Sequence, residues 1–126
     1  MSMFTKLIEV ETQGSAGAAS GSSRIGVGGA CRLVAVRLDY SGSAPATTDV
    51  TIVTDRAMDR TLFTRTNSAA DGMFYPRVNA HKTDTTAIPA GDNPYEQQVV
   101  SGMVEVRVAQ CDALATALTA TLFFEA

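Results

Sequence analysis

The stretch RLVAVRLDY, residues 32–40, alternates apolar and polar side chains with a period of two. Such a period places successive side chains on opposite faces of an extended strand, so that one face is buried and the other meets solvent. The other face would carry Ala35, Arg37 and Asp39. The buried face is predicted to carry the large apolar side chains of this stretch: Val34, Val36, Leu38 and Tyr40.

The same alternation recurs along the chain. It runs over residues 103–108 and 118–125, and shorter strand-like segments lie at 4–10, 49–54, 60–66, 73–78 and 97–100. Turn-forming clusters separate them at residues 41–45, 67–72 and 88–94. About eight short strands with frequent turns are typical of an all-β, antiparallel β-sandwich or jelly roll, and a closed barrel is the lesser alternative. Pro76 predicts a sheet edge or a bulge, and residues 110–117 predict one helical turn.

Residues 14–29, GSAGAASGSSRIGVGG, differ in composition from the rest of the chain. Ile25 and Val27 are their only large apolar side chains, and Gly, Ser and Ala fill most other positions. This composition predicts a flexible arm. We therefore expect residues 1–29 to form an N-terminal strand with this arm and residues 30–126 to form the β-sandwich domain. Residues 79–91 are expected to form a long polar loop.

Length and charge limit the classes of function. A chain of 126 residues has room for one domain, and a net charge of −3 without a basic stripe predicts no nucleic-acid partner. No apolar run approaches the length of a membrane helix, so no membrane partner is expected. Glu9 and Glu11 interrupt the first apolar stretch, which is unlike a signal peptide. A soluble protein made in the cytoplasm is the expectation.

The two cysteines, Cys31 and Cys111, each lie at the edge of an apolar run. Free cysteine in such positions behaves as a small hydrophobic residue, so two buried free thiols are expected. A disulfide between them is the alternative, and it would require the fold to bring the two strands together.

No constellation of residues predicts a catalytic centre, a cofactor site or a metal site. The single histidine, His81, has Asp84 nearby in a polar loop but no nucleophile in a G-x-S-x-G setting. Gly26-Val27-Gly28-Gly29 leads towards a strand and lacks the Lys and the helix of a phosphate-binding loop. The carboxylates, including Asp55, Asp59 and Asp71, are not arranged as a calcium loop. The charges of Glu105 and Arg107 are interpreted as solvated ones.

One segment has the composition of a protein interface. Residues 73–77, MFYPR, concentrate two aromatic residues, a Met, a Pro and an Arg, and such residues are enriched at interfaces. The alternative is that Phe74 fills the core and Tyr75 caps a sheet edge. The residues considered as contacts with other subunits or with a partner protein are Phe4, Ile8, Ile25, Met73, Phe74, Tyr75 and Arg77.

Three stretches between residues 30 and 126 resemble small virion structural proteins of tailed bacteriophages. They are RLVAVRLDYSGSAPATTDVTIVTD, TLFTRTNSAADGMFYPRV and PYEQQVVSGMVEVRVAQCDALATALTATLFFEA. The segment of residues 39–50, a strand, a turn of small residues and a strand opening with Asp, is especially similar.

The resemblance implies a capsid decoration (cement) protein. Such a protein is a β-sandwich, commonly a homotrimer, that binds the outer surface of the head and bridges neighbouring major capsid subunits. The expected partners are then the major capsid protein and further copies of the chain, and the expected location is the virion, after assembly in the host cytoplasm. Head-tail connector or tail proteins, a carbohydrate-binding β-sandwich module and a small cupin-like enzyme are the alternatives, although a cupin centre needs more than one His.

Overall fold

The computed structural model describes residues 2–54, 60–79 and 95–126. In these ranges the chain is all-β and antiparallel, which confirms the predicted fold class, and it contains no helix. The strands are β1 (Met3–Val10), β2 (Ala19–Tyr40), β3 (Asp49–Thr54), β4 (Thr61–Arg65), β5 (Gly72–Phe74), β6 (Val78–Asn79), β7 (Tyr95–Glu96), β8 (Gln98–Cys111) and β9 (Leu118–Glu125).

The long strand β2 joins the two layers of the sandwich. Its first part pairs with β8, from Ala19 opposite Cys111 to Leu33 opposite Gln98. Its second part pairs with β9, from Arg32 to Tyr40, and on its other side with β5. The hydrogen-bonded order β1-β9-β2-β8-β3-β4 therefore folds over along β2. We call the part formed by β1, β9, the second part of β2 and β5 the β9 layer, and the part formed by the first part of β2, β8, β3 and β4 the β8 layer.

The alternating strands pack one shared core between the two layers. In β9 every second side chain is buried, as the sequence predicts for this segment. In β2 a bulge between Leu33 and Ala35 shifts the alternation, so that Leu33 is buried and Val34 is only half-buried. The largest fully buried side chains come from strands of both layers: Phe124, Leu33, Leu38, Ile52, Leu118 and Leu122.

Two glycines opposite each other allow the sheet to bend. Gly28 in β2 pairs with Gly102 in β8, and their φ angles are +80° and +81°. The pairing register shifts on both sides of Gly28. Because L side chains rarely adopt positive φ, glycine at both positions lets the two long strands curve together from one layer to the other.

Residues 19–29 correct the prediction of a flexible arm. They form the first part of β2, and their backbone is paired with β8. The position predicted as a domain boundary, residue 30, lies inside this continuous strand. Gly21 has no room for a side chain, because the residues after β1 pass close by: a Cβ atom there would lie 1.8 Å from the carbonyl oxygen of Glu11.

Two further local predictions differ from the structure. In the predicted helical turn at 110–117, residues 110 and 111 end β8 and residues 112–117 contain a turn, because Leu114 and Thr12 exchange backbone hydrogen bonds beyond the end of the β1–β9 pairing. The predicted strand over 73–78 is divided into β5 and β6 with Pro76 between them, since proline cannot donate to a ladder. Most of the predicted polar loop at 79–91 lies outside the described residues.

Side chains close the sandwich at the edge where β4 faces β5. The rings of Phe63 and Phe74 lie 5.2 Å apart, and the guanidinium of Arg65 lies 4.6 Å from the centroid of Phe74. Arg65 also stands 5.9 Å from the ring of Tyr40, a contact that belongs to the cation–π class. Burial raises the pKa of the Tyr40 phenol. The backbone N–H of Tyr40 donates to the Asp71 carboxylate at 2.7 Å.

Candidate functional site

The outer surface of the β9 layer, with the adjoining start of β8, carries four of the seven large apolar side chains that the described part of the chain exposes. Strand register places Leu7, Thr121, Arg37 and Met73 in one row across four strands. A second row continues from the β9 layer to the start of β8 and contains Met3, Glu125, Arg32 and Val99. We call this surface, defined by these two rows with Thr5 and Phe123 between them, the β9 face.

Apolar side chains stand at the ends of both rows and polar ones between them. Met3 and Leu7 are each 58% exposed on one side of the face, and Met73 and Val99 are 44% and 45% exposed on the other. Arg37, between Leu7 and Met73, forms an ion pair with Asp39 at 3.2 Å. Half-buried Phe123 lies between the two rows, so apolar side chains are spread over this face, and exposed apolar surface of this kind marks sites that contact other macromolecules.

The outer surface of the β8 layer is different in chemistry. Glu105 of β8 is 9% exposed and lies between two arginines that both donate to its carboxylate. The Nε of Arg24, on the neighbouring strand β2, is 2.8 Å from Glu105 Oε2, and Arg107 bonds the other oxygen. Hydrogen bonds from both guanidinium groups hold the pKa of Glu105 below its usual range. The interpretation of this pair as solvated charges is corrected, because the carboxylate is covered and doubly bonded.

The predicted contact residues separate into two groups. Met73 and Tyr75 are exposed, and the exposed Arg77 donates from Nη1 to the carbonyl of Val34 at 2.9 Å. The others are turned inwards: Ile8 is in the core, Ile25 and Phe74 pack against it, and Phe4 stacks on Phe124 with ring centroids 5.3 Å apart.

The sequence interpretation missed Met3, Leu7 and Val99 as exposed apolar residues. For the first two, the signal was available in the period of β1, because Phe4 and Ile8 alternate with them. Met3 and Leu7 of β1 are distant in sequence from Met73 and from Val99, and only the register of the folded strands brings all four to one surface.

Both cysteines are buried, free thiols. Cys31 pairs with Val100 in the β2–β8 ladder, whereas Cys111 pairs with Ala19 at the other end of it. Eleven residues of strand between the two sites span roughly 30 Å, far beyond the reach of about 7 Å that a disulfide allows between Cα atoms. Burial raises the pKa of the Cys31 thiol, so it stays protonated at neutral pH.

The residues considered for catalysis occupy two kinds of place. His81, Asp84, Asp55 and Asp59 lie outside the described residues. Gly26 to Gly29 lie within β2, where the strand bends, and not at a strand-to-helix turn. Within the described ranges, no three His, Cys, Asp or Glu side chains are grouped as a metal site. The same ranges contain no helix that could cross a membrane.

Comparison with known proteins gives a similarity of fold. No family model and no curated protein matches the sequence. A chain in the crystal structure of the Aeromonas sobria serine protease with its chaperone ORF2 matches with a TM-score of 0.51 and 10% identity. The match covers 98% of this chain and 27% of that chain, so this chain spans about a quarter of its length.

Several carbohydrate-binding modules are also among the similar solved structures. The family 32 module of AlyQ, in complex with 4,5-unsaturated mannuronic acid, has a TM-score of 0.39 at 10% identity and matches 86% of this chain and 78% of its own. A family 27 module from Caldicellulosiruptor saccharolyticus, in complex with mannohexaose, has a TM-score of 0.41 at 9% identity, with coverages of 93% and 72%. At these identities the similarity concerns the β-sandwich fold alone.

Proposed function

We propose that the chain is a non-catalytic phage capsid decoration protein that binds the outer surface of a head through its β9 face. One observation carries the proposal: the exposed apolar residues Met3, Leu7, Met73 and Val99 frame a single sheet face. The resemblance of residues 30–126 to virion structural proteins supplies the identity of the partner, the major capsid protein.

The proposed mechanism is stabilisation by mass action. Burying a partly exposed Met, Leu or Val side chain contributes on the order of 1 kcal/mol. A copy that contacts two neighbouring capsid subunits binds only where the assembled shell presents them side by side. Binding therefore favours the assembled shell over its dissociated subunits, in proportion to occupancy and affinity.

Sedimentation with decoration-free heads tests the proposal. The chain should pellet with the heads and raise their melting temperature, and the Met73→Ser/Val99→Ser variant should bind at least on the order of tenfold more weakly. Met103→Ser is the matched control, because Met103 is 39% exposed and pairs with Gly26 in the first part of β2, whereas Val99 pairs with Arg32 next to β9. Failure of the unaltered chain to bind heads, or equal losses in the variant and the control, would contradict the proposal.

A carbohydrate-binding module is the second candidate function. It is favoured by Tyr75 and Tyr95, which are 62% and 63% exposed and offer flat aromatic rings on which a sugar ring can stack. Affinity electrophoresis in gels containing soluble polysaccharides tests this candidate. Retardation that disappears in both Tyr75→Ala and Tyr95→Ala, and persists in Met73→Ser/Val99→Ser, would establish it in place of head binding. Unretarded migration in every gel would reject it.

A further inference from the structure

The outer edge of β1 is partly free. β1 is the terminal strand of the sheet order and, among the strands that the structure describes, pairs with β9 alone along its whole length. Ser2 exchanges both backbone hydrogen bonds with Ala126, so the even-numbered residues of β1 direct their N–H and C=O groups towards β9. The odd-numbered residues direct theirs away from the sheet.

The first part of β2 covers only the C-terminal end of this edge. The Ser23 hydroxyl donates to the carbonyl of Glu9 at 3.0 Å, and Gly21 approaches the carbonyl of Glu11. At Met3, Thr5 and Leu7, no described residue takes up the outward backbone groups. Such an edge is a template for pairing with another strand.

We infer that β1 pairs with β1 of a second copy of this chain, antiparallel, around a two-fold axis at Thr5. In this register Met3 faces Leu7 of the second copy, Thr5 faces Thr5, and all three free residues form hydrogen-bonded pairs. The facing apolar residues are the two that β1 exposes by 58%. We call this contact between the two β1 strands the seam. Its two halves are complementary in hydrogen bonding and in side-chain chemistry.

Lys6 excludes a neighbouring register. It is the only charged residue between Ser2 and Ile8. A shift that centres the axis on Lys6 would place two lysines opposite each other, which is destabilising, and would bring Met3 opposite Glu9, whose carbonyl Ser23 already occupies. A shift in the other direction, centred on Phe4, leaves Leu7 without a described partner. The axis at Thr5 pairs every free residue and sets Lys6 opposite the aromatic ring of Phe4.

The pairing is independent of head binding, because it requires only the chain itself. It is two-fold, whereas the resemblance to decoration proteins implies a homotrimer, so the mass in solution separates the two. It would also align two β9 faces in one continuous sheet.

Light scattering, measured as the protein elutes from a size-exclusion column, gives the first test. The expected molar mass is twice the 13.2 kDa of one protomer. Thr5→Pro removes an outward N–H and spares the bonds to β9, so the dimer should dissociate at least on the order of tenfold more readily. Thr5→Val keeps the N–H and should remain dimeric. A wild-type monomer or trimer, or a Thr5→Pro dimer of unchanged affinity, overturns the inference.

A charge exchange tests the register directly. The Met3→Lys/Leu7→Lys variant and the Met3→Glu/Leu7→Glu variant should each be monomeric, because like charges then face each other. Mixed together, the two variants should form a dimer that contains one copy of each. Met73→Lys, on the same layer but away from β1, should remain dimeric. Homodimers of either charged variant, or no mixed dimer, would overturn the register and with it the proposed seam.

Discussion

The two parts of β2 perform different tasks with different residues. Residues 32–40 are rich in Leu and Val and bury their apolar side chains between the layers. Residues 19–29 are rich in Gly and Ser, and their contribution is a backbone that pairs with β8 while β1 and the residues after it pass close by. The first task depends on side-chain volume and the second on its absence. A strand can therefore be essential to a β-sandwich although its amino-acid composition is not typical of a strand.

Gly21→Val, in the first part of β2, is expected to cause the largest loss of stability. Its side chain would begin 1.8 Å from the Glu11 carbonyl oxygen, and Gly21 is held in the β2–β8 ladder opposite Val108. We expect the free energy of unfolding to fall by about 3 kcal/mol or more. Chemical denaturation measures it.

Gly29→Ala serves as the control for that measurement. A Cβ atom on Gly29 meets nothing within 4 Å, and the residue does not have a positive φ. The free energy of unfolding should change by less than about 0.5 kcal/mol. If Gly21→Val were as mild as Gly29→Ala, close packing would not be the reason for the small residues in this part of β2.

The same comparison explains which parts of the fold the sequence could predict. Residues 32–40 and 118–125 alternate apolar and polar side chains because one face of each strand is buried, so this pattern predicts the fold class and much of the core, although the bulge between Leu33 and Ala35 shifts the alternation in β2. Residues 19–29 carry no such signal. They are extended because they pair with β8, which lies far away in the sequence, and Gly21 is required by the close approach of Glu11. Neither contact leaves a local pattern that the sequence alone would show.

The candidate site was predictable to a smaller extent. The MFYPR segment indicated exposed Met73 and Tyr75 from composition, but Phe74 between them turns inwards to Phe63 and Arg65. The β9 face also includes residues from both ends of the chain, which pair through β9. A local pattern cannot specify the register between distant strands, so this surface could not be predicted without the structure.

Glu105→Gln should lower the free energy of unfolding by an intermediate amount, on the order of 1–2 kcal/mol. Glu105 ties the first part of β2 to β8 through Arg24, and its carboxylate is covered, although both arginines are largely exposed and screened. Its pKa in the folded protein is lowered, so ionised Glu105 stabilises the fold above its unfolded pKa of about 4.5. The difference in stability between wild type and variant should shrink as the pH falls below that value. A difference that is constant from pH 7 to pH 3 would contradict the charge-assisted role.

Asp39→Asn, on the second part of β2, should lower the free energy of unfolding by the smallest amount. The carboxylate of Asp39 bonds Arg37 at 3.2 Å, as Glu105 bonds Arg24, yet both side chains of this pair stand in solvent with 39% and 61% of their surface exposed. An exposed pair contributes about 0–0.5 kcal/mol because water and salt screen it, whereas Glu105 is shielded by its neighbours. Thermal denaturation of both variants at low and high salt compares them. Equal losses in Asp39→Asn and Glu105→Gln would show that burial is not what separates the two ion pairs, and that the two parts of β2 are held by the same electrostatics.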